Sequence, residues 1–261
     1  MTDFLASDPV EITPIGILTS GFKEKFGTPR QSGLVAMPAS IHMLPPFDTT
    51  DAFDGIDNFS HLWLAFLFHK NRGKGWLPKV RPPRMGGNEK RGVFATRSPF
   101  RPNGMGLSCV EFNGLRRARD GLWLDIIGAD IMDGTPIIDI KPYIPYADSK
   151  TDARSSFAAD APKTTLQIEW QTTALERLAH LQVGHQNRQG IENLRKLVES
   201  TLSLDPRPAY QNDPNRIYGT RFFESDVKWQ VIDKTAIILD ILPLDQEKSE
   251  QQTQADAKHR T

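Results

Sequence analysis

The 261-residue sequence holds a single cysteine, Cys109. An internal disulfide framework and a cysteine-built zinc site are therefore excluded. No apolar stretch approaches the roughly 20 residues of a membrane-spanning helix. The longest, LWLAFLF at 62–68, has the length of a strand. The opening MTDFLASDPVE has no basic segment followed by an apolar one, so a signal peptide is not expected. With the cysteine count, this points to a reducing cytoplasm. Net charge is missing too: 32 Lys and Arg balance 32 Asp and Glu. That excludes a histone-like binder of bulk polyanion. The sequence has no GxxxxGK[ST] loop, no GxSxG elbow and no HExxH pair. Gly104-Met105-Gly106 lacks the third glycine of a dinucleotide fingerprint and runs into strand-like residues. The six histidines are scattered, and no metal is expected.

The balanced charge is unevenly placed. Residues 69–104 hold ten Lys and Arg against one acid, Glu89, whereas 48–57 hold four aspartates and no base. Trp76 and Phe94 sit among the basic residues. Cations interleaved with aromatic rings suit phosphates and unpaired bases; a solvated basic loop is the alternative.

Short extended runs separated by Gly, Pro, Asn and Asp fill residues 10–146, among them 62–68, 92–97, 107–112, 122–131 and 137–141. The run 62–68 reads as a strand buried on both faces. Spacings of about 10 to 15 residues leave no room for helices after each strand and favour a closed sheet; only 50–61 has room for a short helix. The pattern predicts a mostly β protein, with a barrel-like antiparallel or mixed β-domain over 10–148. A linker follows at 149–165, then a small α+β domain at 166–244 and a disordered tail at 245–261. In the second domain Leu175, Leu178, Ala179 and Gln182 fit one helix face, and Ile191, Leu194, Leu197, Val198 and Leu202 another. Residues 221–242 read as a hairpin turning at Asp233-Lys234, and the two prolines of 205–210 end the preceding helix.

Segment 92–107, GVFATRSPFRPNGMGL, places Arg97 and Arg101 four apart in a stiff loop. Two planar guanidinium forks there suit a doubly charged anion; surface pairing with Asp54 or Asp57 is equally open. Segment 29–34 also joins Pro, Arg and Gly, and 130–136 puts Asp130 and Asp133 in one turn, where capping of a strand is the plainer role. Cys109 alternates with Leu107 and Glu111 and reads as a structural thiol.

Five phrases, FKEKFGTPRQSGL (22–34), FSHLWLAFLFH (59–69), RPPRMGGNEKRGVFATRSPFRPNGMGLS (81–108), DIMDGTPIIDIKPYIP (130–145) and DPRPAY (205–210), resemble the TrmO (YaeB-like) family. The resemblance implies an S-adenosylmethionine-dependent tRNA methyltransferase with a barrel-like β-domain, a small C-terminal domain and a homodimeric assembly. Its reaction would be methylation of N6 of N6-threonylcarbamoyladenosine, at position 37 beside the anticodon of threonine tRNA. Carried over by motif, Gln31, Ser32, Gly33, Phe68, His69, Arg97, Leu107, Ile127, Gly128, Ala129 and Asp130 would meet the cofactor. Arg101, Lys141, Asp205, Arg207 and Tyr210 would meet the anticodon loop, the last three reaching either their own or the neighbouring subunit's site. No catalytic base is identified; His69, Asp130 and Asp133 are the candidates. A non-enzymatic RNA-binding barrel is the alternative function, and a small-molecule hydrolase a weaker one.

Overall fold

The computed structural model describes residues 9–85, 89–184, 193–208, 211 and 213–244. Six strands close into an antiparallel barrel: β1 (Gly16–Ser20), β2 (Pro38–Met43), β3 (His61–Leu67), β6 (Met105–Ala118), β7 (Gly121–Ile127) and β8 (Pro136–Pro142). Their order around it is β1-β2-β7-β6-β3-β8, with β8 closing on β1. Closure gives every strand two partners and removes the edges. The mostly β architecture read from the sequence is therefore what the chain adopts.

Alternation decides the barrel's filling. Leu62, Leu64 and Phe66 of β3 point inward with Leu18, Ile41, Val110, Leu124, Ile126 and Ile137. Trp63, Ala65 and Leu67 alternate with them and stay half-buried outside. Strand β3 is thus buried on one face, not two, because a closed sheet has one interior and, among the described residues, no helix layer covers the other side. Phe47, Phe53 and Ile56 pack against the same core; they lie between β2 and β3, whose junction marks one rim. The helix allowed at 50–61 is two short 3-10 turns, Thr50–Phe53 and Ile56–Asn58.

The basic segment is an arm rather than a barrel strand. Only β4 (Lys79–Val80) and β5 (Arg91–Gly92) pair, and a 3-10 turn, Val93–Ala95, follows at once. The expected strand 92–97 does not form. Instead the Val93 amide donates to the Pro78 carbonyl and Leu77 to Phe100, folding the arm on itself.

Past one helical turn, α1 (Pro145–Asp148), and a 3-10 turn, Ser156–Ala158, comes a second layer. Strands β10 (Tyr218–Phe222), β11 (Ser225–Ile232), β12 (Thr235–Pro243) and β9 (Gln167–Trp170) form an open sheet in that order, β9 parallel to β12. Helices α2 (Thr172–Gly184) and α3 (Leu194–Leu202) cover it. Helix α3 buries Leu194, Leu197, Val198 and Leu202 as its spacing predicts, while Ile191 lies outside the described residues. Helix α2 is turned by about one residue from the expected face: Ala174, Leu178 and Leu181 meet the core and Leu175 is exposed. The run 221–232 is two strands, because Phe223 takes φ +52 and turns the chain. Among the described residues no helix is long and apolar enough to cross a membrane. The expected tail, 245–261, lies outside the described residues.

Candidate active site

Register fixes which loops meet. Ser20 pairs with Ala39, Pro38 with Ile127, and Leu67 with Met105, while Phe66 pairs with Ile137. The C-terminal ends of β1, β3 and β7 and the N-terminal ends of β2, β6 and β8 therefore share one rim, opposite Phe47 and Phe53. Connections carrying 31–33, 68–69, 97 and 127–130 all open there.

Backbone contacts join the first and last of these. The Gly33 amide donates to the Gly128 carbonyl at 2.9 Å, and the Gly128 amide to the Met37 carbonyl at 2.9 Å. Gly33 and Gly128 have φ of +74 and +86, a left-handed conformation that other residues adopt at a cost. Side chains make the next links. The Arg97 guanidinium donates to the Gln31 amide oxygen, and the Ser108 hydroxyl donates to Asp130 Oδ1 at 2.6 Å. Burial raises the Asp130 carboxyl above its ordinary 3.8, with the Ser108 bond and the Arg97 charge acting against it.

His69 follows β3. Thr135 Oγ1 donates its one proton to the Met132 carbonyl at 2.7 Å. Its contact with His69 Nδ1 at 3.2 Å is then one in which Nδ1–H donates to the hydroxyl oxygen. That tautomer leaves the lone pair on Nε2. Burial, followed by the neighbouring Lys70 charge, holds His69 below its ordinary 6.5, against a smaller opposing pull from Asp133. Asp133 is otherwise engaged: Oδ1 accepts the Ser20 amide at 2.9 Å and Oδ2 the Lys23 ammonium at 3.0 Å. It ties the turn to β1 instead of offering a free base.

Phe68 is fixed by its amide, which donates to the Gly104 carbonyl at 2.7 Å, and by an edge contact with Phe66 at 5.2 Å. Gly106 is a packing glycine: a Cβ there would stand 2.3 Å from the Phe66 ring. Ser32 and Ile127 are half-buried, Ala129 is buried in the barrel core, and Leu107 is 60% exposed on the outer face. Cys109 shares that outer face, and burial pushes its thiol up, in keeping with an unreactive group.

The expected substrate residues are dispersed. Arg101 turns back to donate to the Thr96 and Ser98 carbonyls, bracing its own loop. Lys141 pairs with Asp139 and stands opposite Trp63, about four residues or ~13 Å down the barrel from this rim. Asp205 and Arg207 bind each other at 2.8 and 2.9 Å, with the Arg207 side chain only 9% exposed. Tyr210 lies outside the described residues. Asp54 and Asp57 are at the opposite rim, so Arg97 finds Gln31 instead. Ser108, Thr135 and Lys23 were not singled out from sequence; Thr135 directly follows the Asp133-Gly134 turn, the one local cue.

On the arm, Lys70, Arg72, Lys74, Lys79 and Arg81 are exposed, as are Trp76 and Phe94. Among the described residues its one ion pair is Arg91 with Glu89. No group of three or more metal-ligating side chains occurs among the described residues.

Residues 17–149 match the family model of the tRNA-methyltransferase O N-terminal domain, and 163–244 that of the TrmO C-terminal domain. A protein of Pseudomonas aeruginosa named as a candidate S-adenosylmethionine-dependent methyltransferase is 47% identical over 220 residues, 84% of this chain and 91% of that one. The tRNA (adenine(37)-N6)-methyltransferase of Escherichia coli is 40% identical over 222 residues, 84% of this chain and 92% of that one. A crystal structure of TrmO from Pseudomonas aeruginosa is alike in fold at a TM-score of 0.73 and 37% identity, over 92% of this chain and 100% of that one.

Proposed function

The chain belongs to the tRNA-methyltransferase O family, and we propose that it methylates N6 of adenosine 37 in tRNA with S-adenosylmethionine as donor. The finer reading is that the target is N6-threonylcarbamoyladenosine in threonine tRNA, that the enzyme works as a homodimer, and that it works in the cytoplasm. The observation that carries the proposal is the convergence of Gln31, Gly33, Phe68, His69, Arg97, Gly128 and Asp130 on one rim.

The residues there fit the donor. Asp130 is a carboxylate suited to an ammonium, Arg97 a fork suited to a carboxylate, and Gln31 an amide beside them. Gly33 has nothing within 4 Å of a Cβ position, leaving space over the turn. Phe68 and Leu107 offer apolar surface for a flat ring. When bound, the donor supplies a methyl group already activated by its sulfonium, so no metal is required. The protein's part is alignment and proton removal. The acceptor N6–H is acidified by its carbamoyl substituent, so a weak base suffices. Of the three candidates, Asp133 is bound through both oxygens and Asp130 is assigned to the ammonium. His69, neutral with its Nε2 lone pair free of a proton, is left to take the N6 proton. The exposed cations of the arm, with Trp76 and Phe94, supply phosphate contacts and stacking for the anticodon stem and loop.

Calorimetry with S-adenosylmethionine, then methyl transfer to tRNA with and without the threonylcarbamoyl group, tests this. Saturable binding, and transfer only to modified tRNA, is expected. Transfer to unmodified tRNA would overturn the finer substrate; absence of cofactor binding would leave an RNA-binding barrel.

A further inference from the structure

The connection between β1 and β2, residues 21–37, is bonded to the barrel at Gly128 and Asp133, but its buried apolar side chains pack in the second domain. Phe22, Val35 and Met37 are buried in the core of the second domain. Phe22 bridges Phe222 backbone to backbone, and the Phe223 amide donates to the Gly21 carbonyl at 2.9 Å. Between these ends the Phe26 ring lies stacked, 6.2 Å from both Tyr218 and Trp229 at interplanar angles of 19° and 13°. Gly27, at φ +87, packs so closely that a Cβ would stand 2.3 Å from the Thr220 methyl. Glu24 Oε1 accepts the Arg221 amide at 3.3 Å, and Trp229 Nε1 donates to the Thr220 hydroxyl at 2.9 Å, fixing the platform. The Thr28 hydroxyl then donates to the Glu24 carbonyl at 2.6 Å and turns the chain toward Gln31 and Gly33.

We infer that the C-terminal domain positions the cofactor turn of its own chain, and that Phe26, stacked on Tyr218 and Trp229, is the positioning residue. The inference rests on the reading that Gln31–Gly33 meets the cofactor. Among the described residues, the tip Gln31–Gly33 is tied by a backbone bond to Gly128 and a side-chain bond to Arg97. A tip so lightly tied keeps its conformational entropy unless something fixes its stem. Phe22, Val35 and Met37 hold the two ends, but Phe26 is the ring nearest the tip on its stem. Asp205 first, and Tyr218 after it, hold the Arg207 guanidinium above its ordinary value, so this turn lies beside the platform of the same chain. Losing the Phe26 ring should loosen binding of the donor and leave the chemistry of the bound complex nearly intact.

The test compares Phe26→Ala, Phe26→Tyr and Leu197→Ala in the full chain; Leu197 is buried in the same core but on α3. In the protein alone, hydrogen exchange at the Gly33 amide should quicken about tenfold or more in Phe26→Ala. Kd and KM for S-adenosylmethionine should rise about tenfold, with kcat at saturation within about threefold. Phe26→Tyr keeps the stack and should restore all three. Leu197→Ala should lower the melting temperature and move none of them. If Phe26→Ala does not fold, Phe26→Leu, which keeps bulk without a ring face, takes its place. Unchanged Gly33 exchange, or an equal change in Leu197→Ala, would overturn the inference. If the wild-type protein binds no S-adenosylmethionine, the functional reading falls, while Gly33 exchange still decides whether Phe26 holds the turn.

Discussion

The two domains close their cores differently. The barrel's core is drawn from its own strands and the turns at both rims, and every strand is paired on both sides. The second sheet is open, and its core takes in Phe22, Val35 and Met37 from between the first two barrel strands. A closed sheet needs nothing from its neighbours, so its rim loops are free to be recruited elsewhere. An open one exposes apolar surface that another segment must cover. The Gln31–Gly33 turn lies where these meet, bonded to the barrel at Gly128 and joined to the second domain through Phe26.

The largest expected effect separates the two cores. Trp229 and Leu64 are each fully buried, one per domain. Truncation to Ala should cost about 3–5 kcal/mol for Trp229 and about 2–5 kcal/mol for Leu64. In Trp229→Ala, exchange should quicken at Gly33 while amides of β7 stay protected; in Leu64→Ala the β7 amides should lose protection first. The reverse pattern would break the comparison.

Next comes Arg97→Ala. Arg97 is exposed and bonds Gln31, so the melting temperature should hold. Removing a charge-assisted bond removes about 1.5–3 kcal/mol, or about tenfold or more in kcat/KM. Wild-type turnover would remove Arg97 from the site.

Gly128→Ala probes the barrel's half of the grip. An added Cβ would stand 3.6 Å from Gly33, ordinary contact, so the cost is the φ of +86 alone, about 1–2 kcal/mol. Thermal melts with and without S-adenosylmethionine should show a small loss of stability and a larger loss of ligand-induced shift.

The smallest effect is in pH. His69 is held below 6.5 in the folded chain, so the unfolded chain binds the proton more readily. The stability this gives is complete above pH 6.5 and is lost as pH falls through 6.5 toward the folded value. Asp130, raised above 3.8, acts oppositely: stability is greatest below pH 3.8 and declines as pH rises through its folded value. His69→Gln should therefore lose less melting temperature than wild type between pH 6.5 and about pH 5. An equal loss would show that His69 is not held neutral.

Alternation and turn residues carry local information, and they carried it well. Leu62, Leu64 and Phe66 could be placed in a strand, and Leu194, Leu197, Val198 and Leu202 on a helix face, from spacing. Of the candidate site, Arg97 and Asp130 stood out from spacing because each lies in a short, stiff segment, whereas Gln31 and Phe68 entered through the family resemblance. What spacing could not give was partnership across the chain. Arg97 was as open to Asp54 as to an anionic ligand, and Lys141 was carried over as a substrate contact by resemblance alone. Only strand order puts Asp54 and Lys141 at the far rim.

By itself, then, the sequence determined the strand periodicity, the absence of disulfide and dinucleotide chemistry, the basic arm and the family pattern. These follow from residue type and near-neighbour spacing. Tertiary structure alone decided that one rim collects the turns carrying Gln31, Phe68, Arg97 and Gly128, that Thr135 fixes the His69 tautomer, and that Phe26 lies on the second domain's aromatic platform. Each depends on groups far apart in sequence, such as Phe26 and Trp229, whose meeting is set by barrel closure and by the open sheet's need for cover.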